Sequence, residues 1–127
     1  MSFLFDDLNE QQREAVVHGE GPLLVSAGAG SGKTRVLTYR IAHLLASSAA
    51  DSAEITAVTF TNKAAREMRE RVEGLLGRPL YGGFVGTFHR WALEVLRRWP
   101  RAAGLPGRFG IADADDQRAM MLRALKD

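Results

Sequence analysis

The chain has no cysteine. Disulfide bonds and thiolate metal sites are therefore excluded. Histidine is scarce as well: His18, His43 and His89 are too scattered to suggest an imidazole cluster, and no structural metal is expected. No apolar run approaches the ~20 residues needed to span a bilayer, so no membrane association is expected. The opening MSFLFDDLNE lacks a basic region ahead of its short apolar patch, so it does not read as a signal peptide, and a cytoplasmic location is the corresponding expectation. Internal repeats and low-complexity tracts are also missing. What remains is ordinary globular composition, 46% hydrophobic and 25% charged, in a chain of 127 residues. That length sets a ceiling of one domain, burying roughly 65% of the surface its unfolded form exposes.

Excess charge is nearly absent overall, at a net +2, but its distribution is uneven. Residues 1–60 carry 4 basic and 7 acidic side chains, net −3, whereas residues 61–112 carry 10 basic and 4 acidic, net +6. A basic middle segment is the electrostatic footprint of polyanion binding, although a solvated helix face with local ion pairs has the same composition.

Along the chain, Asn9 followed by Gln12 has the form of a capping box and opens a short helix to about Val17. Pro22 to Ala27 reads as a strand, followed by a Gly-rich turn and a helix with Leu37, Ile41, Leu44 and Leu45 at helical spacing. Ile55 to Phe60 reads as a second strand. Asn62 then caps a helix whose apolar face is Ala65, Met68, Val72, Leu75 and Leu76, with Gly77 ending it. Tyr81 to Gly86 offers a third strand. Phe88, Trp91, Ala92, Val95, Leu96 and Trp99 predict another amphipathic helix, and Asp113 to Asp116 cap a last one. Strands alternating with helices imply α/β architecture with a parallel sheet.

Ala27, Gly28, Ala29, Gly30, Ser31, Gly32, Lys33 and Thr34 (AGAGSGKT) have the Walker A spacing, with Ala in place of the first Gly. The glycines let successive backbone N–H groups turn inward onto phosphate oxygens, and the helix starting near Lys33 adds its positive end. Lys33 is suited to β- and γ-phosphates and the Thr34 hydroxyl to Mg²⁺. The loop lies between an apolar strand-like run and an amphipathic helix, the context the motif requires. ATP and Mg²⁺ are the expected cofactors.

LNEQQREAV (Leu8 to Val16), AGAGSGKTR (Ala27 to Arg35), TFTNKAAREM (Thr59 to Met68) and GTFH (Gly86 to His89) together resemble the Q motif and motifs I, Ia and Ib of superfamily 1 DNA helicases of the UvrD/Rep/PcrA family. The resemblance covers nearly the whole chain, since FGIADADDQ (Phe109 to Gln117) is similar to the stretch by which that family leaves its first RecA-like domain. It implies a P-loop NTPase, RecA-like three-layer fold, incomplete here. Residues 1–110 would form the N-terminal part of domain 1A, and residues 111–127 the start of the inserted helical subdomain 1B. By the same resemblance Gln12 reads the adenine edge, its amide offering a donor and an acceptor, although the capping box with Asn9 would use the same group. Arg35 is implied to pack beside the nucleotide. Phe60 is implied to stack on a base of single-stranded DNA, or else to be a core aromatic of its strand. Thr61, Asn62, Lys63, Thr87 and His89 are implied to follow the DNA backbone. Phe88, Trp91 and Trp99 are expected to be packing residues. Arg90 departs from the small residue the family often has there.

The family also uses an Asp–Glu pair for Mg²⁺ and water, and arginines from a second RecA-like domain. Neither is recognisable here: Phe109 to Ala112 is too short and Gly-broken for a central strand, so Asp113 to Asp116 read as a helix cap. The expectation is thus the first part of an ATP-dependent 3′-to-5′ helicase acting on single-stranded DNA and duplex junctions. Its partners would be the remaining domains 1B, 2A and 2B, and this chain alone would be inactive. A truncated, non-catalytic nucleotide- or DNA-binding module is the alternative, and a small P-loop kinase a weaker third. Repair and replication restart are both left open.

Overall fold

The structure, a computed structural model, describes residues 5–126. Those residues contain five α-helices, two short 3₁₀ turns and two strands. Helix α1 spans Glu10–Val17, α2 Lys33–Ala46, β1 Thr56–Thr59, α3 Asn62–Leu76, β2 Phe84–Thr87, α4 Phe88–Arg98 and α5 Ala114–Ala124. The chain divides into two compact units, with the break inside α4 between Trp91 and Ala92.

In the first unit β1 and β2 run parallel, with Thr56 opposite Phe84 and Thr59 opposite Thr87. Helix α3 connects them, giving the βαβ unit that the alternation predicts. Its apolar stripe turns inward: Ala65, Met68 and Val72 are buried, Met68 and Val72 in one core with Ile41 and Leu45 of α2 and Val85 of β2. A smaller core joins Ala15 and Val16 of α1 to Leu8 and Val36. Helix α2 thus packs against both α1 and α3. In α2 the inward positions are Val36, Ile41, Ala42 and Leu45, while Leu37, expected on the apolar face, lies exposed one position round.

Polar groups fix the joints. The Arg40 guanidinium donates to the carbonyls of Ala15 (3.1 Å), Val16 (3.3 Å) and His18 (2.8 Å), satisfying oxygens left free where α1 ends. Arg69 donates to the Leu80 carbonyl at 3.1 Å, and Glu73 accepts from the Leu80 N–H at 2.9 Å. That clamp delivers the chain to β2. Gly83, at φ +68°, lets the Phe84 N–H reach the Ile55 carbonyl at 2.8 Å; a Cβ there would overlap the Ser52 carbonyl oxygen.

Several expectations are corrected. Pro22 to Ala27 is not a strand: the run has no ladder partner among the described residues, and Leu24 is 92% exposed. An apolar run becomes a strand only when another strand takes its N–H and C=O groups. The other two strands are shorter than expected, and β2 is displaced toward the C-terminus, where Gly82 and Gly83 at positive φ give way to Phe84. Thr61, not Asn62, caps α3, its hydroxyl accepting from the Ala64 N–H at 3.1 Å. The stripe of α4 is not a buried core, since Phe88, Trp91 and Trp99 are 46%, 42% and 55% exposed. In the second unit Asp113 and Asp116 form the expected capping box of α5.

Candidate nucleotide cleft and nucleic-acid interface

The glycine-rich loop turns into α2 through Gly30 (φ +73°) and Gly32 (φ +82°), left-handed conformations that glycine adopts without steric cost. Gly32 is the N-cap and offers no side chain to the first-turn N–H groups, so those donors and the positive end of α2 are left for a ligand. Around them opens a cleft of about 460 Å³ lined by Gln12, Gly30, Ser31, Gly32, Lys33, Thr34, Arg35 and Arg71. The Lys33 ammonium donates to the carbonyls of Ala27 (2.9 Å) and Gly28 (3.5 Å) of its own loop. A phosphate oxygen could replace these neutral acceptors with a charge-assisted bond. Ala29 lies in the turn, and the exposed Thr34 side chain faces the cleft. The donor set, all amides and cations with a hydroxyl beside them, fits a Mg²⁺–triphosphate.

Gln12 joins this loop to α1. Its Oε1 accepts from the Asn9 N–H at 3.0 Å, completing a capping box, and its Nε2 donates to the Ser31 carbonyl at 3.1 Å. A Cβ on Gly32 would lie 2.8 Å from that Nε2. The capping role is therefore realised, with the far end of the amide already in the cleft. Arg35 donates to the Asp7 carbonyl at 3.2 Å, which ties the loop's first helical turn to the segment before α1. Arg71, one of the lining residues, was not singled out from sequence. Nothing in the spacing of α3 distinguishes it from Arg66 or Arg69.

A second group collects at the carboxyl ends of β1 and β2, the edge at which open α/β sheets bind ligands. The register of Thr59 with Thr87 brings Phe60 to Lys63 and Thr87 to His89 to one edge. Phe60 is 89% exposed, so among the described residues its ring is not in a core, and it lies 5.3 Å from that of Phe88 at 42°. Phe88 is thus a neighbour of the exposed ring rather than a core residue. The Thr61 and Thr87 hydroxyls accept from the N–H groups of Ala64 and Arg90 at the starts of α3 and α4. Two helix N-termini at one edge make it electropositive. Asn62 and His89 are exposed there, and Lys63 extends into solvent, its ammonium 4.0 Å from Glu67.

Residues 8–127 match the profile of the UvrD/REP helicase N-terminal domain. The chain belongs to the UvrD/REP helicase family. Among its relatives, the ATP-dependent DNA helicase UvrD1 of Mycobacterium tuberculosis is 51% identical over 125 residues, covering 98% of this chain and 16% of that protein. DNA helicase II of Escherichia coli is 50% identical over 126 residues, 99% of this chain and 18% of the other. The ATP-dependent DNA helicase PcrA of Staphylococcus aureus is 46% identical over 127 residues, 100% and 17%. This UvrD/REP-family chain thus spans about 16–18% of the length of these relatives. Family membership implies a P-loop NTPase fold, of which the chain displays a mixed helix–strand part with a small parallel sheet. Among the described residues no helix is long and apolar enough to cross a membrane.

Proposed function

We propose that this chain supplies the ATP-binding cleft and one single-stranded-DNA contact surface of an ATP-dependent, 3′-to-5′ DNA helicase. Residues 1–110 would form the N-terminal part of RecA-like domain 1A, a three-layer fold completed by later strands, and residues 111–127 would lead into helical subdomain 1B. The observation that carries the nucleotide half is the open first turn of α2 behind Gly30 and Gly32, with Lys33 and Thr34 at its mouth. In this reading the loop amides and Lys33 hold the β- and γ-phosphates, and Thr34 holds Mg²⁺. The ion supplies neutralisation of phosphate charge. Gln12 turns its amide to the adenine edge, exchanging its bond with Ser31, and Arg35 packs beside the nucleotide.

The DNA half rests on the shared edge of β1 and β2. Phe60 offers an exposed ring to any base, which makes the contact tolerant of sequence. Thr61, Asn62, Lys63, Thr87 and His89 lie where a phosphate backbone would pass two helix N-termini. The family resemblance would make duplex junctions and domains 1B, 2A and 2B the further partners. Calorimetric titration of the intact protein with a non-hydrolysable ATP analogue and Mg²⁺ tests the nucleotide half. Lys33→Ala is expected to abolish binding while leaving the thermal melt in place, because the Lys33 side chain is exposed. Equal binding by wild type and variant would put the nucleotide elsewhere.

A further inference from the structure

Three cations and no carboxylate line the cleft: Lys33, Arg35 and Arg71. Like charges around one concavity repel one another, and a bound anion relieves that repulsion. Two of the three are engaged within the chain, Lys33 with loop carbonyls and Arg35 with the Asp7 carbonyl. Arg71 is different. Among the described residues the ion pairs are Lys63–Glu67 and Arg69–Glu73, and Arg71 takes part in neither. Gly74 and Leu75, three and four residues on, cannot pair with a cation, and Glu67, four residues before it, pairs with Lys63.

The surroundings of Arg71 are also kept open. It shares with Arg35 a second hollow of about 350 Å³, lined further by Thr38, Tyr39, Gly74 and Leu75. Gly74 sits inside a helix, where glycine is unfavourable, and nothing stands within 4 Å of where its Cβ would be. No packing contact requires a glycine there, and the space beside it is open. We propose that Arg71 is a nucleotide-binding residue that closes the α3 wall of the cleft on oxygen atoms of the phosphate–ribose chain. A guanidinium only donates, so it suits phosphate and ribose oxygens rather than the mixed donor–acceptor edge of a base. The inference rests on the reading of the glycine-rich loop as a triphosphate site.

The test is calorimetric titration of the intact protein, without DNA, with a non-hydrolysable ATP analogue and Mg²⁺, for wild type, Arg71→Ala, Arg71→Lys and Lys33→Ala. Loss of a charge-assisted hydrogen bond is expected to weaken the binding of Arg71→Ala about tenfold, with Arg71→Lys recovering part of the affinity. The exposed position predicts unchanged melting temperatures for both Arg71 variants, so that weakened binding cannot be ascribed to unfolding. Wild-type affinity in Arg71→Ala together with lost binding in Lys33→Ala would overturn the role of Arg71 and leave the triphosphate reading standing. Wild-type affinity in both would overturn the triphosphate reading, and the role of Arg71 with it.

Discussion

Phe60 shows how much a single side chain can decide. As a strand-end aromatic its sequence context allows a buried ring or a stacking platform, and the two differ in what truncation costs. A packed phenylalanine loses about 3–5 kcal/mol of folding stability on truncation to alanine. An exposed one loses little. With the ring 89% exposed, Phe60→Ala is expected to melt close to wild type. In the intact protein it should weaken single-stranded DNA binding by about 1–3 kcal/mol, with little dependence on base sequence. Fluorescence anisotropy with oligonucleotides of several sequences, alongside a thermal melt, measures both quantities; unchanged DNA affinity would remove Phe60 from the interface. At this scale the motif residues were legible because their types follow from chemistry: glycines where φ is positive, a lysine at the loop's mouth. Arg71 was not legible, because its significance comes from α2 and α3 packing together, which no local spacing records. Gln12 lies between these cases. Its capping role was readable from Asn9, but its bond to Ser31 depends on the loop folding back across nineteen residues.

The helices were read more faithfully than the strands, for a physical reason. A helix satisfies its backbone internally, so its stripe and caps are local signals, which α5 follows at its capping box and α3 along its stripe to Gly77. A strand needs a neighbour. Pro22 to Ala27 has the composition of a strand, yet it finds no ladder partner among the described residues and stays irregular, with Leu24 in solvent. Helix caps are also the least certain part of a local reading, and the start of α3 illustrates it: Thr61 and Asn62 are both good capping residues, adjacent in sequence. Geometry selects Thr61, whose backbone is extended (φ −127°, ψ 149°) and whose hydroxyl meets the Ala64 N–H. Thr61→Ala should therefore cost about 1 kcal/mol of stability in chemical denaturation. Asn62→Ala, inside the first turn, should be neutral or slightly stabilising, since alanine has the higher helix propensity. The reverse order of effects would return the cap to Asn62.

Across the whole chain, both proposed sites lie in the first unit, yet the parts of a motor that turn binding into work are not recognisable in it. Among the described residues no acidic pair follows a strand end to hold Mg²⁺ and orient water, and Asp113 and Asp116 are spent on capping α5. The exposed Leu23, Leu24 and Val25 run leaves one flank of the phosphate loop uncovered, so water has access to the site where phosphoryl transfer would occur. Binding and turnover should therefore separate. The 127-residue chain is expected to bind Mg²⁺–ATP weakly and to release phosphate no faster than a buffer control, with or without single-stranded DNA. A protein carrying this chain at the full length of its relatives is expected to hydrolyse ATP and be stimulated by that DNA, since the acidic pair and second-domain arginines that the family resemblance implies would complete the cleft. A coupled phosphate-release assay on both proteins, each paired with its Lys33→Ala variant, makes the comparison. Turnover by the short chain that disappears in Lys33→Ala would mean that the first unit already holds a complete catalytic site, and would favour a stand-alone ATPase or small kinase over a helicase segment.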